Sequence, residues 1–166
     1  GRRYSREQYL TLVEKIKAKI PSASITTDII VGFPNESEQA FENTLSLCEI
    51  VKYDSAFTFI YSPRVGTPAA KMSDNVSLSE KEQRLYRLNE VVNKYAKINN
   101  DKYLNQTVKV LIEGIGEKGN LFGYTETMKL VNIDGDLKYI GKIVDVLITD
   151  VKTWSMDSKI NEKISN

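Results

Sequence analysis

The chain has no histidine, and it has one cysteine and one tryptophan among its 166 residues. Without histidine there is no Ser-His or Cys-His nucleophile pair, and the commonest zinc ligand is missing. A single thiol forms no internal disulfide and no multi-cysteine metal site, which suits a reducing compartment and predicts a cytoplasmic protein. No apolar run approaches the roughly 20 residues needed to span a bilayer, so no membrane partner is expected. The opening stretch GRRYSREQYL lacks the apolar segment of a secretory signal. Charge of one sign is missing too. Lys+Arg number 23 against 22 Asp+Glu, a net of +1, which exerts no strong global pull toward nucleic acid or membrane. What remains, 41% hydrophobic and 27% charged, is the composition of one globular domain or two small ones.

The residues that are present divide near position 104. Six of the nine glycines lie at 114, 116, 119, 123, 135 and 141, whereas the four prolines lie at 21, 34, 63 and 68. In the first part, Ser5 with Gln8 has capping-box spacing, and Leu10, Val13, Ile16 and Ile20 share the face of a helix that Pro21 closes. The β-branched run 24–31 stops at Gly32-Phe33-Pro34 and predicts a strand buried on both faces. Asn35 with Glu38 is placed to cap a second helix carrying Phe41, Leu45 and Cys48. A second strand, 56–61, ends at Ser62-Pro63-Arg64. The order α-β-α-β means a parallel sheet with crossover helices. From Ser77, which has capping-box spacing to Glu80, a helical stripe (Leu85, Leu88, Val92, Tyr95) runs to about Tyr103, a rod of roughly 37 Å.

After Leu104 the hydrophobic period becomes two. Val108, Val110 and Ile112 alternate with Lys109, Leu111 and Glu113, and further runs at 121–125, 129–133 and 142–151 are split by turns such as Asp134-Gly135. Four or five short strands in this length suit a small closed or partly closed barrel. The expected organisation is α/β (1–76), a linking helix (77–103), an all-β barrel (104–155) and a flexible polar tail (156–166). Two strands cannot satisfy their own sheet edges, so the chain reads as a fragment whose remaining strands precede Gly1.

Ligands on parallel sheets sit at the carboxyl ends of the strands. Those ends offer Gly32, which allows close backbone approach, and Phe33, Phe59 and Tyr61, which offer planar surfaces. The same residues equally suit a plain βα turn with aromatic rings filling the sheet's core. Asp28 and Glu36 have two readings as well, as ligand contacts or as cap and loop carboxylates. Cys48, on an apolar helix face, reads as a buried thiol.

The segments Thr27-Asp28-Ile29-Ile30-Val31-Gly32-Phe33-Pro34 and 54–69 (DSAFTFIYSPRVGTPA), with Arg2-Arg3-Tyr4 ahead of the first helix, resemble the radical S-adenosylmethionine methylthiotransferases. The ending Ile148-Thr149-Asp150-Val151-Lys152-Thr153-Trp154-Ser155 resembles the tRNA branch, which thiomethylates an isopentenylated adenosine beside the anticodon. The resemblance covers nearly the whole chain. It implies a partial TIM-like barrel, a long helix and a TRAM β-barrel that binds tRNA. It also implies S-adenosylmethionine, which supplies the methyl group and, cleaved at a cluster, a radical that abstracts hydrogen from the base. Two [4Fe–4S] clusters complete the family's cofactors. The Cys-x3-Cys-x2-Cys motif that holds the S-adenosylmethionine-cleaving cluster is absent here, as is the N-terminal domain that carries the second, so this chain is expected to ligate no metal, to contribute no catalytic residue and to be inactive alone, the rest of the protein being its other partner. Asn35 stands where the family has a second glycine, and Tyr124 where it has arginine.

By this resemblance the cofactor pocket takes Asp28, Val31, Gly32, Phe33, Pro34, Glu36, Phe59, Tyr61 and Ser62, and RNA takes Tyr124, Lys129, Lys152 and Arg64. Residues 104–166 hold eight lysines, no arginine and nine acids, so RNA contact needs a local cluster. Lys129 and Tyr124 are expected on an exposed turn, and Trp154 in the barrel core. A stand-alone RNA-binding module, or a methylthiotransferase for another tRNA base or a ribosomal protein, are the rival readings.

Overall fold

A computed structural model describes residues 3–161. Arg2 of the N-terminal motif and the last five residues of the expected tail lie outside these. The described chain divides into two compact units, residues 3–16 with 25–95, and residues 17–24 with 96–161.

In the first unit the order is α1 (Arg6–Lys19), β1 (Thr26–Val31), α2 (Glu38–Val51), β2 (Ser55–Ile60) and most of α3 (Leu78–Asp101). Both expected capping boxes form. The Ser5 amide donates to Gln8 Oε1 at 2.8 Å, and the Ser77 amide to Glu80 Oε2 at 3.0 Å. The cap of α2 is Ser37, whose hydroxyl accepts from the Ala40 amide at 3.1 Å. Asn35, expected in that role, is instead held at φ 65°, a left-handed turn conformation that the cap position does not use.

β1 and β2 pair in parallel, Thr26 opposite Ser55 through Val31 opposite Ile60. Their helix-facing sides join a core of Val13, Val31, Phe41, Cys48, Val51, Tyr53, Leu88 and Val92. The other face is open: Asp28, Ile30, Phe57 and Phe59 are exposed. The expectation of strands buried on both faces therefore fails, because all of the packed helices lie against one side. The stripe of α3 begins one turn earlier than its apolar residues suggest, since Lys81 and Arg84 are buried at 6% and 5% exposure.

The second unit is a closed five-stranded barrel. Its strands are β3 (Thr107–Ile115), β4 (Leu121–Thr125), β5 (Leu130–Asp134), β6 (Ile143–Val151) and β7 (Met156–Ile160), in the order β3-β4-β5-β7-β6. Alternation sends Val110, Ile112, Leu121, Val131, Ile133, Val146, Ile148 and Met156 inward as the core. β7 corrects the expected fraying of residues 156–160. It lies parallel to β5 and antiparallel to β6, and it closes the barrel. Closure is the physical reason: without β7 both neighbours would expose an edge. Among the described residues no helix is long and apolar enough to cross a membrane.

Candidate functional site

At the carboxyl end of β1 the chain turns at Gly32, φ 69°, where a Cβ would come 2.3 Å from Lys81 Cγ. Glu36 closes this loop on itself. Its Oε2 accepts from the Gly32 amide at 2.7 Å and from Arg84 Nη1 at 2.9 Å, while the same Arg84 nitrogen donates to the Glu36 carbonyl oxygen. The two side chains are 12% and 6% exposed, so the pair is shielded from solvent. Phe33 meets Tyr61 edge-on at 5.1 Å, and Lys81 Nζ lies 5.5 Å from the Tyr61 ring centre and 2.5 Å from Asp74. The Tyr61 hydroxyl is buried with no hydrogen-bond partner among the described residues.

The structure thus gathers Gly32, Phe33, Glu36 and Tyr61. Val31 and Pro34 are buried beneath them, and Ser62 is exposed just beyond β2. Asp28 and Phe59 stand apart on the open sheet face. Arg64 is exposed, its carbonyl oxygen taken by Thr67 in a turn. Lys81 and Arg84 were missed by sequence reasoning. Their signal was positional, because both continue the Leu85–Leu88 face of α3.

On the barrel, alternation along β4 turns Leu121, Gly123 and Thr125 inward and leaves Phe122 and Tyr124 facing outward. Gly123 is required between them, since a Cβ there would sit 2.1 Å from the Leu111 carbonyl oxygen of β3. Phe122 and Tyr124 meet at 88° with ring centres 6.4 Å apart. They line a groove of about 680 Å3 together with Lys118, Asn132, Lys152 and Asp157. Asp157 is the fixed point of its polar side: Lys152 Nζ reaches Oδ2 at 2.5 Å and Asn132 Nδ2 reaches Oδ1 at 3.0 Å. Burial pushes the Asp157 carboxyl up, but these two hydrogen bonds and the charges of Lys152 and Lys118 outweigh it, so the group is held below its ordinary value and stays ionised.

The loop between β6 and β7 is set from α3. Asn100, 4% exposed, donates to the carbonyl oxygens of Lys152 and Thr153 at 3.0 and 2.9 Å. Sequence reasoning missed Asn100, and no signal in the chain singles it out. Two expectations need correction here. Trp154 is 52% exposed and not core, because its loop turns back outside the barrel wall. Lys129 is 8% exposed and not on a free turn. Its amide and carbonyl pair with Thr125 as the β4–β5 turn closes, and Met128 takes the exposed tip. The groove lining therefore includes Tyr124 and Lys152 but not Lys129.

Comparison with known proteins agrees with this layout. Residues 101–160 match the TRAM domain family. The whole chain is similar to tRNA-2-methylthio-N(6)-dimethylallyladenosine synthases, with 54% identity to that of Bacillus cytotoxicus and 55% to those of Bacillus thuringiensis and Bacillus mycoides. These alignments cover 96–98% of the chain but only 32% of each relative. The chain is thus similar to these synthases over about a third of their length, and its closed barrel lies within the stretch that matches the TRAM domain.

Proposed function

We propose that the chain is part of a tRNA-modifying methylthiotransferase, acting on the adenosine beside the anticodon in the cytoplasm. Its barrel holds the tRNA, and its two-stranded unit forms one wall of an S-adenosylmethionine pocket. The observation that carries this reading is the outward aromatic pair over a groove on a TRAM barrel. The relatives' names support the substrate and the reaction.

The strand ends fit S-adenosylmethionine through the buried, unpartnered Tyr61 hydroxyl beside the Phe33 ring. When bound, that cofactor supplies the methyl group and the hydrogen-abstracting radical. This chain's own residues bind and exclude water: Tyr61 donates or accepts one hydrogen bond, and Phe33 covers an apolar edge. Glu36 is spent on the loop, where it holds Phe33 in place. An iron–sulfur cluster does not fit these residues. Cys48 is the single cysteine, and burial pushes its thiol up to about 11, away from the thiolate that a cluster ligand requires. Among the described residues no group of three His, Cys, Asp or Glu is placed to hold a metal.

The test is to titrate the chain with an isopentenylated anticodon stem-loop, read by fluorescence anisotropy, and to assay it for methylthiolation. The expected result is salt-dependent binding with no product. Absence of binding at low salt removes the tRNA role, and product formed by this chain alone removes the assignment of the chemistry to other parts of the protein.

A further inference from the structure

The groove is chemically unlike a phosphate surface. Its lining carries Glu117, Asp134 and Asp157 against Lys118 and Lys152. The Lys152 ammonium is already paired with Asp157 at 2.5 Å. A phosphate entering here meets more carboxylates than cations, which repels it. A nucleobase meets something different. Phe122, Tyr124 and Leu130 offer apolar and π surface, on which any base stacks. The Asp157 carboxylate, 36% exposed, is pinned through both oxygens by Asn132 and Lys152 and keeps lone pairs to spare. A fixed carboxylate accepts a hydrogen bond from an exocyclic amino group, as it does from cytosine N4 in groove readout.

We propose that this groove seats one unpaired nucleobase of the RNA, its ring against Tyr124 and Phe122 and its exocyclic amino group on Asp157, so that amino-bearing bases are preferred over uracil. The phosphates then lie outside the groove. This rests on the reading that the barrel binds RNA and goes further, in naming which part of the nucleotide the groove takes.

The sign of one substitution separates the two chemistries. The chain and its Asp157→Asn variant are titrated by anisotropy with labelled oligoadenylate, oligouridylate and an abasic oligoribophosphate of equal length, each at two salt concentrations. The expected result for the native chain is tighter binding of oligoadenylate than of oligouridylate, and the weakest binding of the abasic chain. Asp157→Asn should weaken oligoadenylate roughly tenfold and narrow the gap to oligouridylate. Tyr124→Leu, which leaves Asp157 and its partners in place, should weaken both RNAs roughly tenfold without changing their order. Urea midpoints, compared between variants, check that the barrel is intact. If the abasic chain binds as tightly as oligoadenylate, or if Asp157→Asn tightens binding by removing a repelling carboxylate, the groove is a phosphate surface. The inference then fails while RNA binding stands. If no RNA binds, both fall.

Discussion

Gly32, Glu36 and Cys48 each have a backbone or burial reason that precedes any ligand. Gly32 sits at a positive φ, where an L side chain costs about 1–2 kcal/mol, and its Cβ would displace the Lys81 stem, which is packed over it. Gly32→Val should therefore lower stability by at least about 2 kcal/mol in urea denaturation, whether or not S-adenosylmethionine is present. A variant as stable as the native chain would return Gly32 to a purely ligand-facing role. Glu36→Gln removes the nearer carboxylate of the nearly buried Arg84 guanidinium and leaves it only Glu38, at 3.5 Å, which should cost about 2 kcal/mol by the same measurement. Cys48 sets a pH window. Its thiol titrates at about 11 in the folded chain against an ordinary 9.0, so the folded state holds this proton more tightly than the unfolded state. Stability from this group is full below pH 9 and declines as pH rises toward 11. Cys48→Ala should remove that part of the alkaline decline, as measured by denaturant midpoints across the range. How far the sequence revealed these residues depended on what each one needs. Glycine at a strand end is legible as a turn, and an apolar-faced cysteine as buried. The Arg84–Glu36 pair joins residues 48 positions apart, and a residue pattern carries no sign of such a contact.

Secondary elements were legible where hydrophobic periodicity was strong. α3 shows its stripe, and β3, β4, β5 and β6 show their alternation. β7 was not legible because its inward face, Met156, Ser158 and the partly buried Ile160, is broken by a serine and alternates with the polar Asp157 and Lys159, so the sequence MDSKI looks like a polar tail. What makes it a strand is its neighbours' need for partners on both edges. The loop leading into β7 is ordered by the same kind of tertiary contact. Asn100 ties the carbonyl oxygens of Lys152 and Thr153 to the end of α3, and this loop carries both Lys152 of the groove and the exposed Trp154. Asn100→Ala removes two hydrogen bonds to backbone carbonyls, worth about 1–3 kcal/mol together. It should also shift the emission of Trp154, the only tryptophan in the chain. Amide exchange at 152–155 should quicken in that variant while the strands of the barrel stay protected. Unchanged exchange in the loop would mean that Asn100 does not hold it.

The two units solve the edge problem in opposite ways. The barrel closes on itself and leaves no unpaired edge among β3–β7. In the other unit β1 pairs, among the described residues, only with β2, in parallel, and one face is covered. Parallel sheets are found with both faces covered, yet here Ile30, Phe57 and Phe59 are each more than half exposed. A contiguous exposed apolar patch marks a surface that binds or aggregates. At the scale of the molecule, this face should dominate the behaviour of the isolated chain. It should bind the apolar dye ANS under native conditions, and light scattering should rise with concentration at moderate salt. Replacing both rings by Phe57→Thr and Phe59→Thr keeps β-branched residues suited to a strand while removing most of the apolar surface. The double variant should lose the larger part of the dye signal and of the scattering, with little change in urea midpoint, because neither ring is packed in the core. Dye binding that survives both substitutions would locate the sticky surface elsewhere. A large drop in stability would mean that the rings are packed in solution, and the open face would then not be a property of this chain.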